Sequence, residues 1–394
     1  MFNLFKEKVN QPSNRVLWLT DTFDDHNGVS MVLQAIHKEI KCRNLPIDIM
    51  VCSNKLKSDR NLIVVKPFLE FNIPLYRQQP LRIPNYFKIR RIFRKGNFDR
   101  ILSSTEGPMG FTALYFKKFY AVKTYFYLHT DWIMFAKQVM GFQQAGLNRL
   151  QYLMRAYYNT FDYIFVLNSD QQKWLTGKSM RFDSSRILMT AHWTESIFLK
   201  KENVVFPNVN NNNKGPVLLF TGRISPEKGI FELPGIFRKA KESIPGLRML
   251  IAGTGPSENE LRAIFPEAEF TGWIDHDRLP EVYKSADLLI LPSRFDTFSC
   301  VVLEALSCGL PVIAYNTKGP KDIIQDSVNG FLAETAEEMS QGIVSYLSEK
   351  DNHDSFKKAA VARANDYTSD RILKKLLQDI EIIFPAEIHD AIPA

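Results

Sequence analysis

Residues Ala286–Asn316 read ADLLILPSRFDTFSCVVLEALSCGLPVIAYN. The order is strand, loop, helix, turn, strand. Leu288–Leu291 is a short apolar run closed by Pro292 and Ser293, the mark of a buried strand. Ser293–Thr297 is loop. Ser299–Ser307 sets Val301, Val302, Ala305 and Leu306 at helical spacing, and Cys308-Gly309-Leu310-Pro311 ends the helix with glycine, then proline. Val312–Tyr315 opens the next strand. In a parallel unit of this form the helix N-terminus points at the carboxyl edge of the sheet, where phosphates and polar ligands bind. Asp296 stands just before the helix and Glu304 within it, so two acids are placed to hold a hydroxyl-rich ligand.

The same alternation continues on both sides. From Pro216 the runs VLLFTGR, RMLIAGTG, EFTGW, DLLILPS and PVIAY form one regular β–α series. Before it lies KKENVVFPNVNNNNKGP, whose Asn run and flanking Pro and Gly read as a linker. Further upstream Arg15–Asp21, Ile47–Ser53, Asp99–Ser103, Thr124–His129, Tyr163–Asn168 and Arg186–Ala191 read as strands. Ser30–Cys42 and Met134–Asn159 read as helices, while residues 61–80 mix short apolar runs with prolines and take no assignment. The tail from Tyr367 to Ile383 is an amphipathic helix able to pack on either domain. A chain of 394 residues is too long for one ordinary core. We therefore expect two doubly wound α/β domains, 1–200 and 216–370, with a linker at 201–215 and a terminal helix and tail at 371–394. A cleft between two such sheet edges is a common place for a site.

Composition narrows the class. With 45% hydrophobic and 24% charged residues the chain is a folded, water-compatible protein. Its four cysteines (Cys42, Cys52, Cys300, Cys308) lack the spacing of a zinc or disulfide framework, which points to reduced thiols in the cytosol. The N-terminal stretch has no long apolar core, and no run of about 18 apolar residues offers a membrane span. The expected location is cytoplasmic, with room for peripheral attachment to the inner membrane face. Charge is unevenly spread. Residues 1–200 hold 29 Lys+Arg against 15 Asp+Glu (+14), and residues 201–394 hold 21 against 28 (−7). A basic half favours an anionic membrane surface, an acidic substrate or nucleic acid.

Four features converge on the second domain's sheet edge. Phe220–Ile230 (FTGRISPEKGI) ends a strand in Thr-Gly and then supplies Arg223 and Lys228, two cations suited to a diphosphate. Taken alone, such a pair is an ordinary solvated turn. Ile251–Pro256 (IAGTGP) has glycines that let backbone approach a ligand, or simply make a tight turn. Phe270–Ile274 (FTGWI) is a strand end able to line a base pocket with Trp273 and Ile274. The fourth is the unit of Asp296 and Glu304. Asp275-His276-Asp277 looks like a metal-binding Asp-x-Asp, but it leads into LPEVYKSAD and reads as loop and helix cap; no metal is expected.

In order and spacing, over about 100 residues, these motifs resemble those of the nucleotide-sugar-dependent retaining glycosyltransferases of the GT-B fold, family 4. They stand here as Gly222-Arg223…Lys228-Gly229, Ala252-Gly253-Thr254-Gly255, Phe270-Thr271-Gly272-Trp273-Ile274 and Asp296…Glu304-Ala305…Gly309-Leu310-Pro311-Val312. Upstream, Asp21–Ser30 (DTFDDHNGVS) resembles the family's N-terminal loop, with Gly28 at the glycine position. Ser104–Gly110 (STEGPMG) and Tyr127–Asp131 (YLHTD) resemble signatures of a branch that includes mannosyltransferases and glycolipid-forming enzymes.

The resemblance implies two Rossmann-like domains facing each other across a cleft, and a set of roles. Arg223 and Lys228 neutralise the leaving nucleoside diphosphate, aided by backbone N–H groups of Ser299, Cys300 and Val301 and by the close backbone at Gly253. Asp296 binds sugar hydroxyls, Glu304 the ribose, and Trp273 and Ile274 the base. His129 and Gly28 act from the first domain. No cofactor is required beyond the nucleotide sugar, UDP- or GDP-linked, that serves as donor. The chain departs from the family pattern where it has Asp296 in place of Glu, and Thr297 and Ser299 in place of Gly. Two other readings stay open: a nucleotide-sugar 2-epimerase of the same layout, and a non-catalytic nucleotide-sugar-binding protein.

The basic half points to the acceptor. Leu81–Arg100 carries Arg82, Lys88, Arg90, Arg91, Arg94, Lys95 and Arg100, with Tyr86, Ile89, Ile92 and Phe93 interleaved at helical spacing. Phe111–Tyr127 adds aromatics and three lysines. A solvated basic face would look the same. An interfacial helix on anionic lipid is the functional reading, and with it a lipid or lipid-linked glycan acceptor. No nucleic-acid recognition motif accompanies the charge, so nucleic acid is not expected as a partner.

Overall fold

In this computed structural model residues 13–24, 28–73, 76–138, 140–199 and 215–382 are described. The chain divides into two compact units. The first comprises residues up to Leu167, Gln172–Thr190 and the chain from Leu373; the second comprises Asn168–Gln171 and Ala191–Ile372.

The first unit is built on a seven-stranded parallel sheet. From one edge its strands run Leu62–Val65, Ile47–Cys52, Val16–Thr20, Arg100–Ser103, Lys123–Tyr127, Tyr163–Val166 and Ile187–Met189. The strand order reverses between Val16–Thr20 and Arg100–Ser103, which is the switch point of a doubly wound sheet. Val16–Thr20 is buried on both faces, as continuous apolar strands under two helix layers must be. Aromatic rings fill the core: Phe93 stacks on Phe116 at 4.0 Å, and Phe126 meets Tyr158 and Phe161, each at 5.0 Å.

Three sequence expectations change here. The unassigned stretch 61–80 supplies a sheet strand, Leu62–Val65, and most of an antiparallel hairpin, Pro67–Ile73 with Tyr76–Pro84. Its prolines are tolerated because each strand of a two-stranded hairpin is an edge strand, where a proline nitrogen can face away from the partner. The single helix expected over Met134–Asn159 is two, Trp132–Gln138 and Gln144–Tyr158. The interfacial helix expected within Leu81–Arg100 is a shorter helix, Tyr86–Gly96, whose apolar face is already used. Ile89 and Phe93 are buried in the core, and Arg82 belongs to the hairpin.

The second unit holds a six-stranded parallel sheet in the order Glu269–Gly272, Arg248–Ala252, Val217–Thr221, Leu288–Leu291, Val312–Tyr315, Gly330–Ala333. Its switch point falls between Val217–Thr221 and Leu288–Leu291, the strands that precede the Arg223 turn and the Asp296 loop. Residues after Ala191 join this unit. Ser307 Oγ donates to Thr194 Oγ1 at 2.9 Å, and Phe198 packs edge-on to Tyr283. The terminal helix is Ser369–Asp379, with Leu373, Leu376 and Leu377 buried. Beyond it the Glu381 carboxylate takes Lys123 at 2.5 Å and its carbonyl accepts from Arg100 Nη2 at 2.9 Å, both within the first unit.

Candidate active site

The second unit's sheet edge is assembled by glycines. Gly222 follows the first strand at φ +138°, a backbone only glycine adopts easily. A Cβ on Gly253 would lie 2.0 Å from the Gly222 carbonyl, and one on Gly255 would lie 2.2 Å from that of Ile224. These glycines therefore let the Arg223 loop lie against the neighbouring loop, backbone on backbone. The Ile224 N–H donates to the Thr254 carbonyl at 3.0 Å, and Ser257 N–H to the Ile224 carbonyl at 3.1 Å. On its Cβ side Gly253 has this packing role. Gly229, at φ +71°, is pressed on the Pro292 carbonyl in the same way, with a Cβ position only 2.0 Å away.

That contact brings Lys228 to the loop after the fourth strand. The Pro226–Lys228 turn ends at Gly229. Lys228 Nζ pairs with Asp296 Oδ1, and Ser293 Oγ donates to the Glu227 carbonyl at 3.3 Å. Arg223 pairs with Glu227, its head left about half exposed. Two cations thus stand at the switch point, each held by one carboxylate.

The Cys300–Ser307 helix begins beside them. Its last turn closes in a Schellman arrangement: Gly309 at φ +73° donates to Leu306 at 3.0 Å, and Leu310 donates to Ala305 at 2.9 Å. Its start is less ordinary. Ser299 caps the helix in the left-handed region, φ 71° and ψ 78°, where a side chain costs roughly 1–2 kcal/mol. The resemblance implies glycine at this position, and the glycine-like backbone is present with serine. Ser299 is 8% exposed, and its Oγ has no partner among the described residues. The neighbouring Cys300 thiol is pushed well up by burial and then by Glu304; Asp296 adds to this and Lys228 opposes it, so the four groups share one field.

Glu304 lies one turn in. Burial raises its carboxyl above the usual range, while a 2.7 Å bond from the Tyr283 hydroxyl to Oε2 opposes the rise. Tyr283 is itself buried and bonds Thr221 at 3.0 Å, which fixes the acid from behind. Sequence reasoning missed Tyr283; its place in YKSAD carried no motif. His276 of the Asp-x-Asp lookalike sits 3.0 Å from Glu195 in a short helical turn, His276–Arg278. Trp273 is 73% exposed at the end of the edge strand, with Ile274 partly covered beside it.

Gly28 and His129 lie in the first unit. Gly28 opens the Gly28–Cys42 helix, and no atom of the described residues lies within 4 Å of where its Cβ would point. Residues 25–27 of its loop fall outside the described residues. His129 is buried just past the Lys123–Tyr127 strand and stacks on Tyr127 at 4.3 Å. The same edge holds two acids that no sequence motif marked. Asp21 accepts from Thr105 Oγ1 at 2.8 Å and Met109 N at 3.2 Å, and a Cβ on Gly107 would sit 2.4 Å from its Oδ2. Burial pushes Asp21 up to about 7, against these hydrogen bonds and Arg82. Glu106, bonded by Tyr158 at 2.7 Å, is raised for the same reason. The STEGPMG signature is thus, in part, the cradle of Asp21. The available signal was a polar residue directly after a fully buried strand.

Two parallel sheets, each with its polar groups at the carboxyl edge by the switch point, define a doubly wound two-unit protein. Comparison with known proteins makes this specific. The model for Glycosyltransferase Family 4 matches residues 26–187, and that for Glycosyl transferases group 1 matches residues 202–363. A GDP-mannose-dependent alpha-mannosyltransferase of Corynebacterium glutamicum is 26% identical over 245 residues, covering 59% of this chain and 58% of that protein. A sulfoquinovosyl transferase of Arabidopsis thaliana is 37% identical over 128 residues, covering 31% of this chain and 24% of that protein. The chain thus spans less than two thirds of these relatives. Among solved structures, sucrose-phosphate synthase from Thermosynechococcus elongatus superposes with a TM-score of 0.73 at 16% identity, covering 93% of this chain and 98% of that one. Anabaena HepE in complex with UDP gives 0.72 at 16% identity, covering 94% and 100%. The chain belongs to the family 4 glycosyltransferases and has the GT-B fold.

Proposed function

We propose that this protein is a retaining glycosyltransferase that moves a hexose from a nucleotide sugar to a lipid or lipid-linked glycan at a membrane surface. The observation that carries the reading is Lys228 held against Asp296 beside the start of the Cys300–Ser307 helix, at the switch point. Breaking the glycosidic bond leaves negative charge on the nucleoside diphosphate. Preset cations and helix N–H groups stabilise that charge without reorganising. Arg223 and Lys228 supply the cations, and Ser299, Cys300 and Val301 the helix start. The unpartnered Ser299 hydroxyl, in a backbone that resists it, supports a donor aimed at the diphosphate. Asp296 takes sugar hydroxyls, with Lys228 setting its position. Glu304, with one oxygen bonded to Tyr283, offers the other to the ribose, and Trp273 and Ile274 offer a face to the base. Gly28 and His129, on the first unit, serve the acceptor.

The relatives leave the base open: the mannosyltransferases are named for GDP-mannose, while HepE was crystallised with UDP. Thermal unfolding with UDP and with GDP reads the base directly, and the one that raises Tm is the donor's. Incubation with a panel of nucleotide sugars then tests the reaction. Nucleoside diphosphate released only when lipid acceptor is present supports transfer. Interconversion of the donor would instead make the protein an epimerase, and binding without turnover a carrier.

A further inference from the structure

The second unit sets a histidine among the acids of its site, and the roles proposed so far leave it unused. The Phe198 N–H donates to the Glu195 carbonyl at 3.1 Å, and this turn presents both side chains together. Glu195 Oε1 lies 3.0 Å from His276 Nε2. Phe198, 1% exposed, packs edge-on to His276 at 5.3 Å and to Tyr283 at 5.9 Å. One buried ring therefore spaces an imidazole and a phenol. Both belong to one stretch, because the His276–Arg278 turn runs straight into the Leu279–Lys284 helix. The Tyr283 hydroxyl donates to Glu304 Oε2 at 2.7 Å. The same stretch thus supplies the hydroxyl that fixes Glu304 and an imidazole whose charge acts on it.

Glu304 has need of such a charge. A carboxyl that keeps its proton in a buried site is a poor acceptor for a ribose diol. Burial raises Glu304; the Tyr283 bond and the charge on His276 oppose the rise, and Glu195 adds to it. His276 is raised in its turn, chiefly by its bond to Glu195. Burial opposes this, and the charges of Glu195, Glu304 and Asp277 support it. His276 Nδ1 is covered and has no hydrogen-bond partner among the described residues, so these carboxylates set the charge of the ring. The other titratable groups nearby stay neutral around pH 7. Tyr283 is raised well above its usual range by burial, and the Cys308 thiol, on the Phe198 carbonyl at 3.6 Å, is pushed up to about 12. Lys284 acts on Cys308.

We propose that His276 is a positioning residue of the donor site: held by Glu195 as an imidazolium, it keeps Glu304 ionised for the ribose and makes nucleotide binding proton-linked. This deepens the donor-site reading and rests on it. Protonated, His276 sets one cation against two carboxylates. Neutral, it leaves both without that cation while the nucleotide brings more negative charge to the same edge.

Calorimetric titration of the full chain with UDP and with GDP, in steps from pH 6 to pH 8.5, tests it. The terminal phosphate of each nucleotide also titrates, so the reading is the difference between parent and variant at each pH. His276→Gln is expected to bind about fivefold more weakly than the parent at pH 6, as loss of one well-screened unit charge would give. The two converge at pH 8.5, where His276 has lost its proton. His276→Lys stays charged and binds more tightly than the parent at pH 8.5. Glu195→Gln moves the parent's fall in affinity to lower pH. A loss of equal size at every pH would make the Glu195–His276 contact purely structural and overturns the proposal. Parent-like binding of His276→Gln at pH 6 also overturns it, and leaves the donor site standing. If the parent binds neither nucleotide at any pH, the donor reading itself fails.

Discussion

The two carboxyl edges solve opposite electrostatic problems. In the second unit the cations come forward. Arg223 and Lys228 each have one carboxylate partner and a partly open head, and Ser299 adds a hydroxyl without a partner among the described residues. In the first unit the acids are withdrawn. Asp21 and Glu106 are held by hydroxyls and a helix N–H, and the buried cation Arg82 serves as a clamp. One edge leaves its cations partly open; the other confines its acids. Equal folds at the two edges thus carry unequal chemistry, and the residues at the strand ends decide it.

The comparison breaks most sharply at Lys228. Lys228→Ala removes a preset cation and leaves Asp296 unpaired. Donor turnover should fall by about 10²–10³, as when one transition-state donor is lost. Steady-state release of nucleoside diphosphate measures it, and a change under about threefold would detach Lys228 from the leaving group. The first-unit counterpart is Arg82→Ala. Breaking a buried pair from one side costs about 3–5 kcal/mol of stability, because Asp24 stays buried without its partner. Thermal unfolding should show a drop of about 10 °C, at roughly 2–4 °C per kcal/mol. The nucleoside diphosphate affinity should not move; if it does, the clamp belongs to the donor site.

How far each edge was legible follows from the same contrast. The second unit's site is written in contiguous motifs, because its groups sit on short turns directly after strands. Gly222, Arg223, Lys228, Asp296 and Glu304 are legible from the sequence alone. What the motifs hide is which glycine serves packing: Gly253 holds no room for a ligand on its Cβ side, since the Gly222 carbonyl fills it. The first unit's strands were legible from apolar runs. Its hairpin was not, because prolines mask the period-2 pattern and the partner strand lies outside the main sheet. The amphipathic pattern of Tyr86–Gly96 was real, but periodicity cannot say whether an apolar face meets lipid or a core. Phe116, stacked on Phe93, answers that. Asp21 and Glu106 escaped because burial of an acid is a property of its neighbours.

A smaller effect separates the ends of the donor site. Glu304→Ala should weaken nucleoside diphosphate binding about tenfold, or about 1.4 kcal/mol, by calorimetric titration. Tyr283→Phe should do less, since it removes the 2.7 Å bond that fixes the acid but not the acid. A larger loss from Tyr283→Phe would make Tyr283 the ligand contact.

A pH-dependent effect tests the withdrawn acids. Asp21 has its carboxyl raised to about 7 by burial, with Thr105, Met109 and Arg82 pulling it down and Glu106 pushing it further up. An unfolded Asp titrates near 3.9. Between those values the folded chain holds a proton that the unfolded chain has lost. Its contribution to stability is therefore full below about pH 4 and is lost as the pH rises through 7. Asp21→Asn keeps the shape and an acceptor for the Met109 N–H but cannot ionise. The stability difference between Asp21→Asn and the parent protein, from urea unfolding at fixed pH values, should shift in favour of Asp21→Asn from pH 5 to pH 8. A difference that stays flat across that range would mean that Asp21 is ionised in the folded state, and that the first edge, like the second, presents its charge.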